Sequence, residues 1–296
     1  MSLFMYIILC LIWGSTWMAI KIGLSQAPPL YAASIRFVLA VAILTVIVRL
    51  KRLRYPRGLK DFLRLGYPGI YMYCGSYALV YFAEQHINSA MAAVLFGAYP
   101  FFVALLSNSL LKSETIRGKA WLGLALGFLG VVVISYDSLQ TSGDLFIGTL
   151  LAVAGAAAAA YGLVIHKKRF GDQNIFVAAN VQMLVGGALL VIGAVLFEDW
   201  HDFVVSPESI GSILYLAVFG TVIAFLGYYW LLSHSKAVTV SLIAFITPVV
   251  AILIGVLFFK ETLSTLIFLG AAMILGGIAL VVRRQPQREI STQATP

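Results

Sequence analysis

Charge is scarce in this sequence. Asp, Glu, Lys and Arg make up 11% of its 296 residues, where a soluble domain carries about a quarter. That shortage excludes an ordinary soluble fold. Acidic residues are the scarcer sign, 12 against 20 basic, and none sits in the middle of an apolar run. A carboxylate proton relay of the usual intramembrane kind therefore lacks its residue. The two cysteines, Cys10 and Cys74, fall inside apolar runs. They act there as small apolar side chains and carry no signal of redox compartment. HExxH, GxSxG, Walker and post-strand GxGxxG patterns are all missing. The sequence thus points away from an enzyme, and no cofactor or metal is expected; ATP-driven transport needs a separate partner.

What the chain has instead is apolar length. Hydrophobic residues make up 61% of it, mean hydropathy is +0.97, and residues 120–136, 145–165, 238–259 and 262–282 hold no charge. About 18 such residues cross a bilayer as a helix, and the runs lack the alternation of a membrane strand. The reading is an all-α integral membrane protein with ten transmembrane helices, at about 3–21, 30–50, 64–84, 89–111, 119–136, 145–165, 174–197, 209–233, 238–259 and 263–282. The first run lacks the charged front and cleavage site of a signal peptide. With the N-terminus inside, 17 of the 20 basic residues fall in cytoplasmic loops and the tail, leaving Lys21, Arg36 and Lys260. This distribution predicts a multi-pass protein of the inner (plasma) membrane with both termini cytoplasmic. The net charge of +8 reads as anchoring to lipid rather than binding to nucleic acid.

One pattern is written twice. "YFAEQHINSAMAAVLFGAYP" ends at Pro100 and "YWLLSHSKAVTVSLIAFITP" ends at Pro248, 148 residues later. Tyr81 answers Tyr229, His86 answers His234, and upstream Trp13-Gly14 answers Tyr161-Gly162. Past the prolines the offset is 147: Lys112-Ser113-Glu114-Thr115 answers Lys260-Glu261-Thr262, and Gly123 and Gly130 answer Gly270 and Gly277. The organisation expected is a first five-helix repeat at 3–136, a second at 145–284, and a cytoplasmic tail at 285–296. Five is odd, so the second copy enters the membrane from the opposite side. Two inverted five-helix repeats around a central cavity are the framework of alternating access in many secondary carriers, though a channel can share it.

"LIWGSTWMAIKIGL" at 11–24, Arg36, Pro100 followed by "LLKSE", and their second-half echoes resemble the EamA type of the drug/metabolite transporter superfamily. The resemblance spans about residues 3 to 284. It implies a ten-helix inverted-repeat bundle with a central cavity, and export or exchange of small metabolites, often amino acids. Tyr161 stands where the family commonly has Trp, and Gln182 where the first half has Arg36.

The expected function is a secondary transporter exporting amino acids or related carboxylate-bearing metabolites. The alternatives are an exporter of cationic or aromatic drug-like compounds, or a lipid-handling protein. Trp13, Thr16, Trp17, Tyr73, Tyr77, Tyr81, Tyr99, Tyr161 and Tyr229 are the candidate substrate-binding residues. Tyr73, Tyr77 and Tyr81 recur at every fourth position and share a helix face, and a mid-span Tyr hydroxyl needs a protein or water partner. The competing reading is an interfacial aromatic belt. Arg36, about 9 Å into its span, is either a site for a substrate carboxylate or a structural clamp with Glu84. Pro100 and Pro248 each free a carbonyl four residues back, at Phe96 and Ala244, and are candidate hinges. His86 and His234, at equivalent turns, are candidates for proton coupling or plain loop residues. Asn108, Asn180 and Gln182 serve as interhelical partners or ligands, and the run "AVAGAAAAAYG" at 152–162 as a packing surface. Ten helices suffice for a monomeric carrier, with a dimer as the alternative, and the partners expected are membrane lipid and a small-molecule substrate.

Overall fold

A computed structural model describes residues 2–111, 118–139, 143–259 and 265–282, and every regular element among them is helical. In chain order these are α1 (Ser2–Leu24), α2 (Pro29–Leu50), α3 (Leu59–Gly69), a π-helical segment (Ile70–Gly75), α4 (Ser76–His86), α5 (Ser89–Phe96), α6 (Tyr99–Leu110) and α7 (Lys119–Leu139). They continue as α8 (Gly143–Phe170), α9 (Ile175–Phe197), α10 (Pro207–Ala217), a second π-helical segment (Val218–Ile223), α11 (Ala224–His234), α12 (Ala237–Ser241), α13 (Ile243–Phe259) and α14 (Thr265–Val282). Among the described residues, six stretches are long and apolar enough to cross a membrane: Leu3–Leu24, Pro29–Leu50, Met91–Leu110, Leu145–Phe170, Ile175–Phe197 and Pro207–His234. Apolar helices also cover Ala120–Gly130, Ala237–Ala251 and Phe268–Gly277. The expected span at 64–84 falls on α3, the first π segment and α4. Lys60, Asp61 and Arg64 make α3 amphipathic rather than uniformly apolar. The Lys112–Thr115 and Lys260–Thr262 motifs and the 285–296 tail lie outside the described residues.

Local chemistry sets the ends of these elements. Asn88 starts α5 by accepting the Met91 N–H at 2.7 Å, and Ser206 and Ser209 form a reciprocal capping box on α10, each satisfying donors that a first turn leaves unpaired. The front of α2 is capped from a distance: both Glu198 carboxylate oxygens, at the end of α9, accept the Leu30 and Tyr31 N–H groups at 2.8 and 2.9 Å. The chain turns at Gly97–Ala98, and Pro100 sits in the first turn of α6, where a missing N–H costs nothing. Pro248 lies inside α13. The carbonyl expected to be free there, Ala244, accepts the Thr247 hydroxyl at 3.2 Å.

The bundle closes through bare backbone. α2 packs on α9, α4 on α8, α1 on α13 and α7 on α14. A Cβ at Gly186 would press on the Gly69 carbonyl and Tyr73, and one at Gly277 on the Gly123 carbonyl and Gly127, so both crossings require glycine. Gly155 and Gly162, in the predicted small-residue run, lie against α4 and the first π segment in the same way.

Two lysines close helix ends. Lys21, in the last turn of α1, donates to the Glu84 and Ile87 carbonyls at 2.6 and 3.2 Å, at the C-terminus of α4. Lys167, in the last turn of α8, donates to the Leu232 carbonyl at 3.3 Å and to the Ser235 carbonyl, at the C-terminus of α11. An ammonium there satisfies orphan carbonyls and opposes the negative end of the helix dipole. The two acceptor pairs lie 148 residues apart, as do the two π segments.

Candidate functional site

A cavity of about 100 Å³ opens between α1, α2, the first π segment and α4 on one side and α11 to α13 on the other. Trp13, Thr16, Trp17, Arg36, Tyr77 and Tyr99, six of the predicted binding residues, line it. Trp17 and Tyr99 flank Phe96, with ring centroids 5.4 and 5.6 Å away, and Trp13 meets Tyr228 edge-on at 4.9 Å. The Tyr99 and Tyr228 hydroxyls bond each other at 2.7 Å. Seven of the eighteen lining residues are therefore aromatic. The hydroxyls of Thr16, Ser241 and Thr247 bond carbonyls three residues back on their own helices, so the wall offers few unspent polar groups.

Arg36 is the one cation of that wall, and it is 1% exposed. Its Nε donates to Thr221 Oγ1 at 2.6 Å, one Nη to the Gly220 carbonyl at 3.0 Å and the other to the Tyr81 hydroxyl at 3.3 Å. Tyr77 lies at the edge of bonding distance, 3.5 Å, with its ring 4.8 Å from the guanidinium carbon. The second π segment explains the arrangement. Its i→i+5 pattern takes carbonyls out of the α-helical ladder, and the Gly220 carbonyl accepts both Arg36 and the Trp13 indole N–H, the latter at 3.3 Å. The Arg36–Glu84 clamp is not formed. Glu84 accepts no hydrogen bond at either carboxylate oxygen, and its backbone carbonyl binds Lys21. Four of the five guanidinium N–H donors are directed at protein acceptors.

The other candidates sit elsewhere. Tyr81 lies behind Arg36 as its hydrogen-bond acceptor. Tyr73 and Tyr229 are buried and bonded to each other at 2.9 Å. Tyr229 donates to Gln182 Oε1 at 2.6 Å, and the Gln182 amide lies 2.9 Å from His166 Nδ1. An amide nitrogen only donates, so Nδ1 is the acceptor and the His166 proton is on Nε2. The His166 ring stacks on Tyr229 at 4.3 Å. Tyr161 joins Tyr67 and Tyr71 in a separate cluster, its hydroxyl 3.3 Å from that of Tyr67. Tyr73 and Tyr77 nevertheless keep a common face, both packing on Phe37 and Phe225, and of the three-tyrosine stripe only Tyr77 reaches the cavity. Asn180 holds helices together, bonding Tyr55, Thr45 and the Val41 carbonyl. His86 and His234 lie outside the cavity; His234 is exposed and packs on Trp230. Sequence reading did not single out His166, nor Phe225, Ser241 and Thr247 of the wall, and named Phe96 for its carbonyl alone. The hydroxyl next to Pro248 was a usable signal for Thr247.

The chain matches known proteins along nearly its whole length. A model of the EamA-like transporter family matches residues 1–136 and again residues 146–283. The "Uncharacterized inner membrane transporter YedA" of Escherichia coli K12 is 29% identical over 274 residues, 92% of this chain and 88% of the relative. An "Uncharacterized transporter" of Archaeoglobus fulgidus is 30% identical over 92% of this chain and 95% of the relative. A "Probable amino-acid metabolite efflux pump" of Escherichia coli K12 is 28% identical over 93% of each chain. One solved structure, described only as a crystal structure of a protein, superposes with a TM-score of 0.77 at 20% identity, covering 95% of this chain and 97% of that one. It shares the fold. With the same family model matching both halves of a chain whose described residues include six membrane-length apolar stretches, the protein belongs to the EamA-like transporter family of the drug/metabolite transporter superfamily.

Proposed function

We propose that this transporter is an alternating-access carrier made of two inverted five-helix repeats, and that it exports amino acids or related carboxylate-bearing metabolites across the inner membrane. The carrying observation is the cavity between the two halves, lined by seven aromatic side chains with one guanidinium in its wall. An aromatic wall receives an apolar side chain, and a buried cation favours a carboxylate over a quaternary ammonium. The repeat reading draws on the doubled family match, the paired π segments and the paired lysines. Trp13, Trp17, Tyr77 and Tyr99 hold the side chain, and Arg36 supplies the charge for the carboxylate. Tyr73, Tyr81 and Tyr229 act behind the wall. No catalytic step is assigned, and a monomer suffices.

The test is a thermal-shift screen of purified protein. A ligand that binds only the folded state raises stability by RT ln(1 + [L]/Kd). Leucine or phenylalanine is expected to raise Tm, and tetraethylammonium to leave it unchanged. A rise with tetraethylammonium alone refutes the carboxylate reading in favour of a cation exporter.

A further inference from the structure

The ends of α4 and α11 are closed by the same device with one chemical difference. Lys21 binds the carbonyls of residues 84 and 87, and Lys167 those of residues 232 and 235. At the first end residue 84 is glutamate; at the second its counterpart is Leu232. The Glu84 side chain is 0% exposed and neither carboxylate oxygen has a hydrogen-bond partner. An ionised carboxylate is very costly in that setting, and the neutral acid far less so.

The surroundings offer one counter-ion. Lys21 acts on the carboxyl from α1, yet its hydrogen bonds go to main-chain carbonyls. On α4 itself, Tyr81 is one turn earlier and within electrostatic reach, and half-exposed His86 ends the helix. From α2, Arg36 reaches this region through Tyr81. α5 has no ionisable residue. α8 packs here through Gly148, against the Ala83 carbonyl, His86 and Ile87, and the Asp144 side chain at its start lies outside the described ones. Lys21 thus has two sets of acceptors on one residue: the Glu84 carbonyl it uses, and the Glu84 carboxylate it does not.

We propose that Glu84 is a proton-binding site that sets the Lys21 latch on α4 and couples proton movement to this end of the carrier. In the closed state the acid is neutral and Lys21 holds the carbonyls of Glu84 and Ile87. When the carboxyl O–H bond breaks, the proton passes to water and the electron pair stays on the carboxylate. That carboxylate then pairs with Lys21, which leaves the helix end. Reprotonation from water returns Lys21 to the carbonyls. Leu232 denies Lys167 the same choice, so coupling belongs to one end only. The proposal rests on the carrier reading above for its transport consequence, though not for the site itself.

The deciding measurement is infrared spectroscopy of the purified protein at neutral pH, with leucine-driven proton movement in proteoliposomes as the second arm. The wild type is expected to show a protonated-carboxyl stretch that Glu84→Gln lacks; if that variant does not fold, Glu84→Leu, which copies the counterpart position, carries the test. A band of equal strength in wild type and variant overturns the site. In vesicles loaded with a pH dye, a leucine gradient should change internal pH with the wild type and not with the variant. An equal change in both overturns the coupling. If no amino acid moves at all, the carrier reading fails while the infrared band still decides whether Glu84 holds a proton.

Discussion

At the scale of residues, Arg36 shows how far sequence carries an inference. Its depth in an apolar run, and its need for a partner there, followed from hydropathy alone. Its partners did not, because Thr221 and Gly220 are 185 and 184 residues away, and an α-helical reading of that segment frees no carbonyl. The nearest-in-depth carboxylate, Glu84, was the wrong partner for the same reason. We predict that Arg36→Gln lowers stability by about 2–3 kcal/mol, since hydrogen bonds to a charged group are the strong ones, and that adding Glu84→Gln restores none of it. Thermal melts of the single and double variants check this; recovery in the double variant would reinstate the clamp. Tyr99→Ala removes a ring stacked on Phe96 and a bond to Tyr228. Binding of the thermal-shift ligand is expected to weaken roughly tenfold, the effect of about 1.4 kcal/mol, while Tyr161→Ala, outside the cavity, leaves affinity unchanged. Equal losses would place the site elsewhere.

At the scale of elements, apolar runs marked the helices well because lipid forces each to satisfy its own backbone. The interruptions were less visible. Neither π segment carries proline, and "IYMYCG" and "VFGTVI" look like ordinary helix, so the carbonyl that Gly220 presents to Arg36 could not be read. Pro100 was visible, but whether it kinks a helix or starts one depends on the turn at Gly97. Two element-scale predictions follow from the ends and the crossings. Glu198→Ala leaves the Leu30 and Tyr31 N–H groups uncapped and is expected to cost about 1 kcal/mol, read as a lower melting temperature. Gly277→Val drives a side chain into the Gly123 and Gly127 backbone and should cost about 1–3 kcal/mol. An unchanged melt for that variant would show that α7 and α14 separate more easily than their glycines imply.

At the scale of the whole molecule, the doubled pattern of the sequence reappears as paired features: two π segments and two lysine-closed helix ends, each pair 148 residues apart. That much was legible because the copies kept their spacing between Tyr81 and Pro100 and between Tyr229 and Pro248. The unlike residues of the two copies, Glu84 against Leu232 at a spacing of 148 and Arg36 against Gln182 at 146, were legible as letters. Their meaning needed three-dimensional neighbours. The central claim, that the two copies are inverted, is tested most directly by labelling one pair of equivalent exposed loop positions. Single cysteines at Arg54 and at Asp202, which lie 148 residues apart, are introduced after Cys10→Ala and Cys74→Ala. Each is treated with a membrane-impermeant maleimide in right-side-out and inside-out vesicles. The inverted-repeat account predicts that Arg54→Cys reacts only in inside-out vesicles and Asp202→Cys only in right-side-out ones. Reaction of both in the same vesicle type would contradict it.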